Sequence, residues 1–258
     1  HTRFRNVTGV QTCALPILVA WEPFARSGAV TMFMLPPLSL VLERIWSDAL
    51  GGDLWLNIGV TLYRAIAGFL IAAVAGVVLG MAMSRSKIMS WFFDPIISVG
   101  FPMPKIAFLP IIILWLGLYD VSKIAMIVFD AIFPVVTATI IGIQGVEKEL
   151  IWSARNMGAK DREMMWQIVL PAALPQILTG LQVALPIALI VAVVCEMAMG
   201  GYGLGGTMMT SSRFADSRGV FAGIVEIALV GYVIVKGMSV LRRRLLIWHQ
   251  EANEPTTA

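Results

Sequence analysis

The stretch IGVTLYRAIAGFLIAAVAGVVLGMAM, Ile58 to Met83, carries a single charge, Arg64, in an otherwise apolar run. A hydrocarbon core about 30 Å thick needs about 20 such residues in helix, so this run reads as a membrane span. Four more runs follow it. Ile88 to Leu118 is long enough but contains Pro95, Pro102, Pro104 and Pro110. It reads as one kinked or two-part span, because proline lacks a backbone donor and crowds the preceding turn. Ile124 to Ile143 holds Asp130 and Pro134, Ile177 to Met199 holds Pro186 and Glu196, and Val220 to Leu241 holds Glu226 and Lys236. Helix satisfies the backbone of each segment without help from lipid. The short alternating segments of a membrane barrel are absent. The expected fold is an all-α, polytopic membrane helical bundle.

Composition agrees. Of 258 residues 58% are hydrophobic and 14% charged, against about 45–50% and about 25% in soluble domains, and the mean hydropathy is +0.83. This excludes a disordered chain and argues against an ordinary soluble enzyme. The net charge of +3 comes from scattered residues, so no basic face for nucleic acid is expected. Cys13 and Cys195 make no disulfide framework or metal-ligand cluster. The two histidines lie near the chain ends, which leaves little for histidine-based catalysis. Cys195 reads as a small apolar residue.

The stretch His1 to Ile17 is unusual. Its TGVQTCALPI text resembles translated sequencing-adaptor read-through, the alternative being a divergent signal anchor. A genuine first span is expected to be partly lost or replaced here, within residues 1–34. Leu35-Pro36-Pro37 marks a break before a short helix, Leu38 to Leu50, on a membrane surface.

Lys and Arg in the loops set the orientation. Arg85 and Lys87, then Lys148, Arg155, Lys160 and Arg162, then Arg242 to Arg244 all fall on one side, the cytoplasm. The opposite loops hold Lys123, Arg213 and Arg218. On the cytoplasmic side Gln144 to Pro175 is a long polar excursion with apolar residues at helical spacing. Ile151, Ala154 and Met157 would share one face, and Met164, Ile168 and Pro171 another. Gly158 separates the halves and suits a left-handed turn, and Asp161 is placed to cap the second helix. Pattern alone leaves two readings open, a hairpin that docks a cytoplasmic partner or a solvated connector on the lipid surface. Met165 and Trp166 are assigned to packing in the hairpin.

The run Trp152-Ser153-Ala154, then Gly158, then Ile168-Val169-Leu170-Pro171, resembles the EAA loop of permease subunits of bacterial ABC importers. That pattern is E-A-A, three residues, G, nine residues, I-x-L-P, and the spacing matches. Pro171-Ala172-Ala173-Leu174-Pro175 with Ile177 to Gly180 resembles the branch serving nitrate, taurine and aliphatic sulfonates. So do Pro102-Met103-Pro104-Lys105-Ile106-Ala107, Pro110, Trp115-Leu116-Gly117, Glu196-Met197 and Gly203-Leu204-Gly205. The resemblance implies a transmembrane domain over residues 35–244, a cytoplasmic tail over 245–258 and a bacterial inner-membrane location. It also implies a homodimer of this subunit, two copies of an ATP-binding subunit and an external solute-binding protein. The ATPase-coupling loop would comprise Trp152, Ser153, Ala154, Gly158, Ala159, Asp161, Ile168, Leu170 and Pro171. The family's leading Glu is Trp152 here and its first Ala is Ser153. Trp152 would supply packing area, with charge from Glu147 or Glu149.

Gly201, Gly203 and Gly206 match G-x-G-x-x-G, with Glu226 about 20 residues on, as in a dinucleotide site. The apolar run before them is too long for a strand, so a flexible external loop from Gly200 to Gly219, meeting a delivery protein, is expected instead. No G-x-x-x-x-G-K-[ST] is present. The chain is expected to carry no cofactor and no catalytic site of its own, with ATP and Mg held by the partner ATPase. Gly68, Ala72, Gly76 and Gly80 form a small-residue stripe, for packing within the chain or between two copies. Arg64, Asp130, Glu196 and Glu226 fall at membrane depth, where a charge near the helix centre costs about 2.5–3.5 kcal/mol. Arg64, Asp130 and Glu196 are candidates for the translocation path, Arg64 as a ligand for an anionic solute; the alternative is a buried structural role. An ion-driven secondary carrier using Asp130 and Glu196 is the competing function, but such carriers show inverted repeats and none is evident.

Overall fold

The structure, a computed structural model, describes residues 19–246. The unusual stretch up to Ile17 and the tail beyond residue 246 lie outside the described residues. The elements are helical: α1 (residues 19–26), α2 (Leu38–Gly51), α3 (Asp53–Arg85), α4 (Lys87–Gly100), a 3-10 turn (Lys105–Phe108), α5 (Leu109–Leu116), α6 (Asp120–Gln144), α7 (Lys148–Asn156), α8 (Asp161–Met164), a π turn (Met165–Val169), α9 (Leu170–Met199), α10 (Leu204–Arg213) and α11 (Ser217–Leu245). Among the described residues four helical segments are long and apolar enough to cross a membrane: α3, α6, α8 through α9, and α11. The bent pair Lys87–Gly100 and Lys105–Leu116 makes a fifth candidate. The expected spans are all present, and the proline-rich one is in two parts, bent by 99°. Pro102 and Pro104 sit in that bend, where neither can donate to a preceding carbonyl.

The chain divides into two compact units. Among the described residues one contains 19–61 together with Glu196–Val230; the other contains Leu62–Cys195 and residues 231–246.

Helix directions in the second unit can be read from its glycines. A Cβ on Gly68 would meet Ile127, on Gly76 Val135 and on Gly80 Thr139. The offset is 59 residues each time, so α3 and α6 run parallel. The small-residue stripe is thus an intrachain seam, with Ala72 fully buried in it. Against α9 the sums are constant instead. Gly180 abuts Ala138, and Gly142 abuts Gln176, and both pairs sum to 318, so α6 and α9 are antiparallel. Arg242 donates to Gln182 Oε1 at 2.9 Å and Thr179 Oγ1 at 3.0 Å, while Gly231 lies by Leu189. The falling number on α9 makes α9 and α11 antiparallel as well. α6 and α9 are central: half of the most apolar window of each is buried, against 11% for α11.

The first unit is tied by polar contacts. Trp21 Nε1 donates to the Pro36 carbonyl at 3.0 Å. The Glu22 carboxyl accepts from the Ser39 amide at 3.0 Å and from Arg26 at 2.6 Å, which together pull its pKa down to about 2. Arg44 bridges Asp48 in its own helix to Asp216 at 3.0 Å. Asp216 also accepts from the Gly219 amide at 3.1 Å, as the first turn of α11 requires.

Replacing Gly76 with Ile drives a branched side chain into Val135 and the Ile132 carbonyl. The expected loss is about 1–3 kcal/mol, read as a lower thermal midpoint in detergent. Gly59→Ala, inside the same helix but where a Cβ meets nothing within 4 Å, should leave the midpoint as high as in wild type or slightly higher.

Candidate functional site

The polar excursion folds as an arm. α7 ends in a Schellman motif: the Gly158 amide donates to Arg155 O at 2.9 Å and the Ala159 amide to Ala154 O at 3.1 Å. Gly158 takes φ +86°, a left-handed conformation that costs an L-residue about 1–2 kcal/mol. Its expected role as the turn residue holds. Asp161 does not cap the second helix. Lys160 occupies the N-cap position, and the Glu163 carboxyl accepts the Lys160 amide at 3.0 Å. Asp161 is the first helical residue, and its side chain lies 3.8 Å from Arg155, with both groups exposed. Such a pair contributes little.

The second helix does not stop inside the excursion. α8 passes through the π turn into α9, so arm and membrane helix are continuous. The π turn closes with the Leu170 amide bonding Met165 O, one residue before Pro171, whose ring would crowd the Gln167 carbonyl in a regular α-helix. That extra residue shifts the buried face. Met164, Val169, Ala173 and Ile177 join Val146 in one core, with Val77, Ile143 and Ile151 packed against it. The expected face of Met164, Ile168 and Pro171 is therefore corrected: Ile168 is half-buried and Pro171 exposed. On α7, Ala154 is buried as expected and Ile151 half-buried, but Met157 is 79% exposed because it stands in the turn. Ala159 and Leu170 are half-buried and Ser153 exposed. Trp152 and Trp166 are 58% and 56% exposed, so Trp166 is not packed within the arm as expected. The arm has an apolar root in α3, α6 and α9 and an aromatic outer surface.

Within the membrane spans Arg64, Asp130 and Glu196 have specific partners. Arg64, one turn before Gly68 on the α3 seam, donates to Asp120 at the start of α6 through Nε at 2.8 Å and Nη2 at 2.7 Å. Asp130 receives Lys105 Nζ at 3.0 Å. The same ammonium donates to Phe101 O at 3.1 Å and stands 4.8 Å from the Phe133 ring centroid. Gly100 makes room for Phe133, since a Cβ there would overlap the ring.

Glu196 is fully buried. Its carboxyl accepts from the Thr61 hydroxyl at 2.9 Å and from the Gly205 amide at 3.1 Å. Thr61 Oγ1 accepts the Leu204 amide at 2.9 Å, and Asn57 Oδ1 the Gly203 amide at 2.8 Å. The glycine-rich segment is therefore not a flexible loop throughout. Leu204–Arg213 is helix α10, and its first amides are taken up by side chains of α3 and α9. These are the amides a phosphate would need in a dinucleotide motif, so the G-x-G-x-x-G spacing has another physical origin. Gly203, at φ +125°, leaves no room for a Cβ beside the Glu196 carboxyl.

Sequence reading singled out Arg64, Asp130 and Glu196 but not their partners Asp120, Lys105 and Thr61, nor Asn57, which holds the Gly203 amide beside Glu196. Asn57 and Thr61 were legible in principle, being spaced four apart and ahead of Arg64 on the same stripe. Glu196→Ala leaves the Thr61 hydroxyl and Gly205 amide without an acceptor, at a cost of about 1–3 kcal/mol for each group left unsatisfied. Faster proteolysis within residues 200–206 and a lower thermal midpoint are the expected readouts.

Comparison with known proteins agrees with this architecture. Residues 68–247 match the family described as binding-protein-dependent transport system inner membrane component. The chain is 32% identical over 253 residues to the taurine transport system permease protein TauC of Escherichia coli, covering 96% of this chain and 92% of that one. It is 35% identical over 233 residues to an aliphatic sulfonates transport permease protein, SsuC, of Bacillus subtilis, covering 90% and 84%. The formylaminopyrimidine transport permease protein ThiX of Halalkalibacterium halodurans is 28% identical over 237 residues, covering 92% and 94%. A solved chain of the MetNI methionine ABC transporter shares the fold at TM-score 0.54 and 19% identity, over 73% of this chain and 95% of that one. With the spans, the arm and these relatives in agreement, the chain belongs to the inner-membrane permeases of binding-protein-dependent ABC importers.

Proposed function

We propose that this chain is the membrane-spanning subunit of an ATP-driven importer for a small organic sulfonate of the taurine type, working in a bacterial inner membrane. Two copies pair around the path, two ATPase subunits dock on their arms, and an external binding protein delivers the solute. ATP and Mg are bound by the ATPase, and this chain breaks no covalent bond. Permeases named for taurine and aliphatic sulfonates among the relatives support the substrate class.

The observation that carries the reading is the arm. Trp152, Met157 and Trp166 are exposed on the polar arm, and large apolar side chains standing in water there would suit a partner surface. Their backbone is rooted in the core of Val146, Met164, Val169, Ala173 and Ile177. A displacement of the arm by closing ATPases therefore moves α9 directly and α6 through its contacts with α9. The solute path is opened to one side or the other by such a rigid switch, and ATP acts through its different affinity for the two states. Trp152 and Glu149, three residues apart on α7, take the place of the family's glutamate as apolar and charged contacts. The partners of Arg64 and Glu196 support a framework role for both, whereas those of Asp130 support a place on the path.

Proteoliposomes containing the permease, its ATPase and its binding protein should accumulate taurine or ethanesulfonate only with ATP. Uptake by the permease alone on an imposed ion gradient would overturn the reading. A Cβ on Gly158 would meet nothing within 4 Å, but Gly158→Val strains the turn by about 1–2 kcal/mol. Membrane insertion should be normal while stimulation of the ATPase falls several-fold.

A further inference from the structure

Lys105 lies at the bend of the two-part span, only 8% exposed. Its ammonium nitrogen has three acceptors around it: the Asp130 carboxyl, the Phe101 carbonyl and the Phe133 ring. Asp130 is the eleventh residue of the 25-residue α6, about 15 Å along a helix of about 37 Å, near the middle of the span. Pro134 cannot donate to the Asp130 carbonyl, so the regular helix bond is missing at this residue. A charge pair at this depth is costly, and an apolar pair of similar volume generally serves packing as well or better. Pro102, Pro104 and Gly100 already provide the bend and the close contact with Phe133. Lys105 is not needed for either.

The two members of the pair differ in access. The Lys105 side chain is 8% exposed and the Asp130 side chain 22%. The group that another molecule reaches first is therefore the carboxylate, which already occupies the position of an anion against the buried cation. A carboxylate oxygen and a sulfonate oxygen are alike as acceptors of an ammonium proton. The carboxylate sits on a short side chain that can rotate aside, while the carbonyl and the ring stay fixed.

The geometry points to Lys105 as the residue that holds the anionic head group of the permeating solute, with Asp130 as the internal anion displaced while the solute passes. Lys105 then keeps a counter-ion in both situations, and the solute has to compete for its place, so that it is held weakly enough to leave. This assignment rests on the sulfonate-importer reading above.

Two measurements test it in the assembled transporter. In proteoliposomes with ATPase, binding protein and ATP, Lys105→Met/Asp130→Leu replaces the pair by apolar groups. Ethanesulfonate uptake should fall about tenfold or more relative to wild type, while co-purification with the ATPase is kept. Uptake within about twofold of wild type would make the pair a dispensable packing contact and overturn the assignment. Asp130→Asn, which keeps an acceptor for Lys105 and removes the competing charge, covers the case in which the double variant fails to assemble. Radiolabelled ethanesulfonate should bind the detergent-solubilised permease–ATPase complex several-fold more tightly in this variant than in wild type, without the binding protein. Equal or weaker binding would overturn the assignment. If the wild-type assembly accumulates neither taurine nor ethanesulfonate, the sulfonate reading fails and the assignment fails with it; wild-type uptake with an unaffected double variant rejects the role of Lys105 alone.

Discussion

A bilayer interior offers no water to a buried charge, and this constraint shapes the polar parts of the molecule. Arg64 meets Asp120, Lys105 meets Asp130, and Glu196 gathers a hydroxyl and a backbone amide. Each arrangement joins segments distant in sequence, and the partner is what limits the cost of burying the charge; around Arg64 and Glu196 the same bonds also fix how those segments meet. Glu226 departs from this pattern. Its Oε1 is buried with no hydrogen-bond partner among the described residues.

The apolar remainder obeys a different rule. Lipid is as apolar as leucine, so hydrophobicity alone brings no two spans together, and close backbone packing has to do so. The glycine seam of α3 provides it, with the same 59-residue offset maintained over three turns, and Gly142 and Gly180 provide it between α6 and α9. Shape at these seams sets helix direction and register, and the charged pairs lie at their margins. Arg64 belongs to both systems because it occupies the next seam position beyond Gly68.

The spans were legible because long apolar runs are the least ambiguous pattern a chain carries. The turn at Gly158 was legible for a similar reason, since few residues other than glycine adopt its conformation. Three features were not. The face of the arm was misread by assuming 3.6 residues per turn through Pro171, where the π turn inserts one more. Asp161 was taken as a cap on residue type alone, although Glu163 could reach the same turn from inside the helix. The segment after Gly200 was read as flexible from its glycines, but side chains of α3 and α9 hold it. In the last case the acceptors lie more than 140 residues away in Asn57 and Thr61, and no local pattern contains that information.

The π turn also bears on the coupling role proposed for the arm. A lever joined to its load by a flexible loop would dissipate displacement in the joint. Here the link from α8 to α9 is continuous helix, and its one irregular turn is packed: Val169 is 7% exposed and sits in the same core as Val146 and Ile177. Pro171 and Pro175 follow, and each withdraws a helix bond, so the link is bent and weakened in hydrogen bonding but filled in packing. Close-packed cores shift between discrete arrangements more readily than they stretch. A segment with fewer internal bonds and a tight core is therefore suited to moving as one body with α9, while the Schellman turn at Gly158 fixes where helix α7 stands on it.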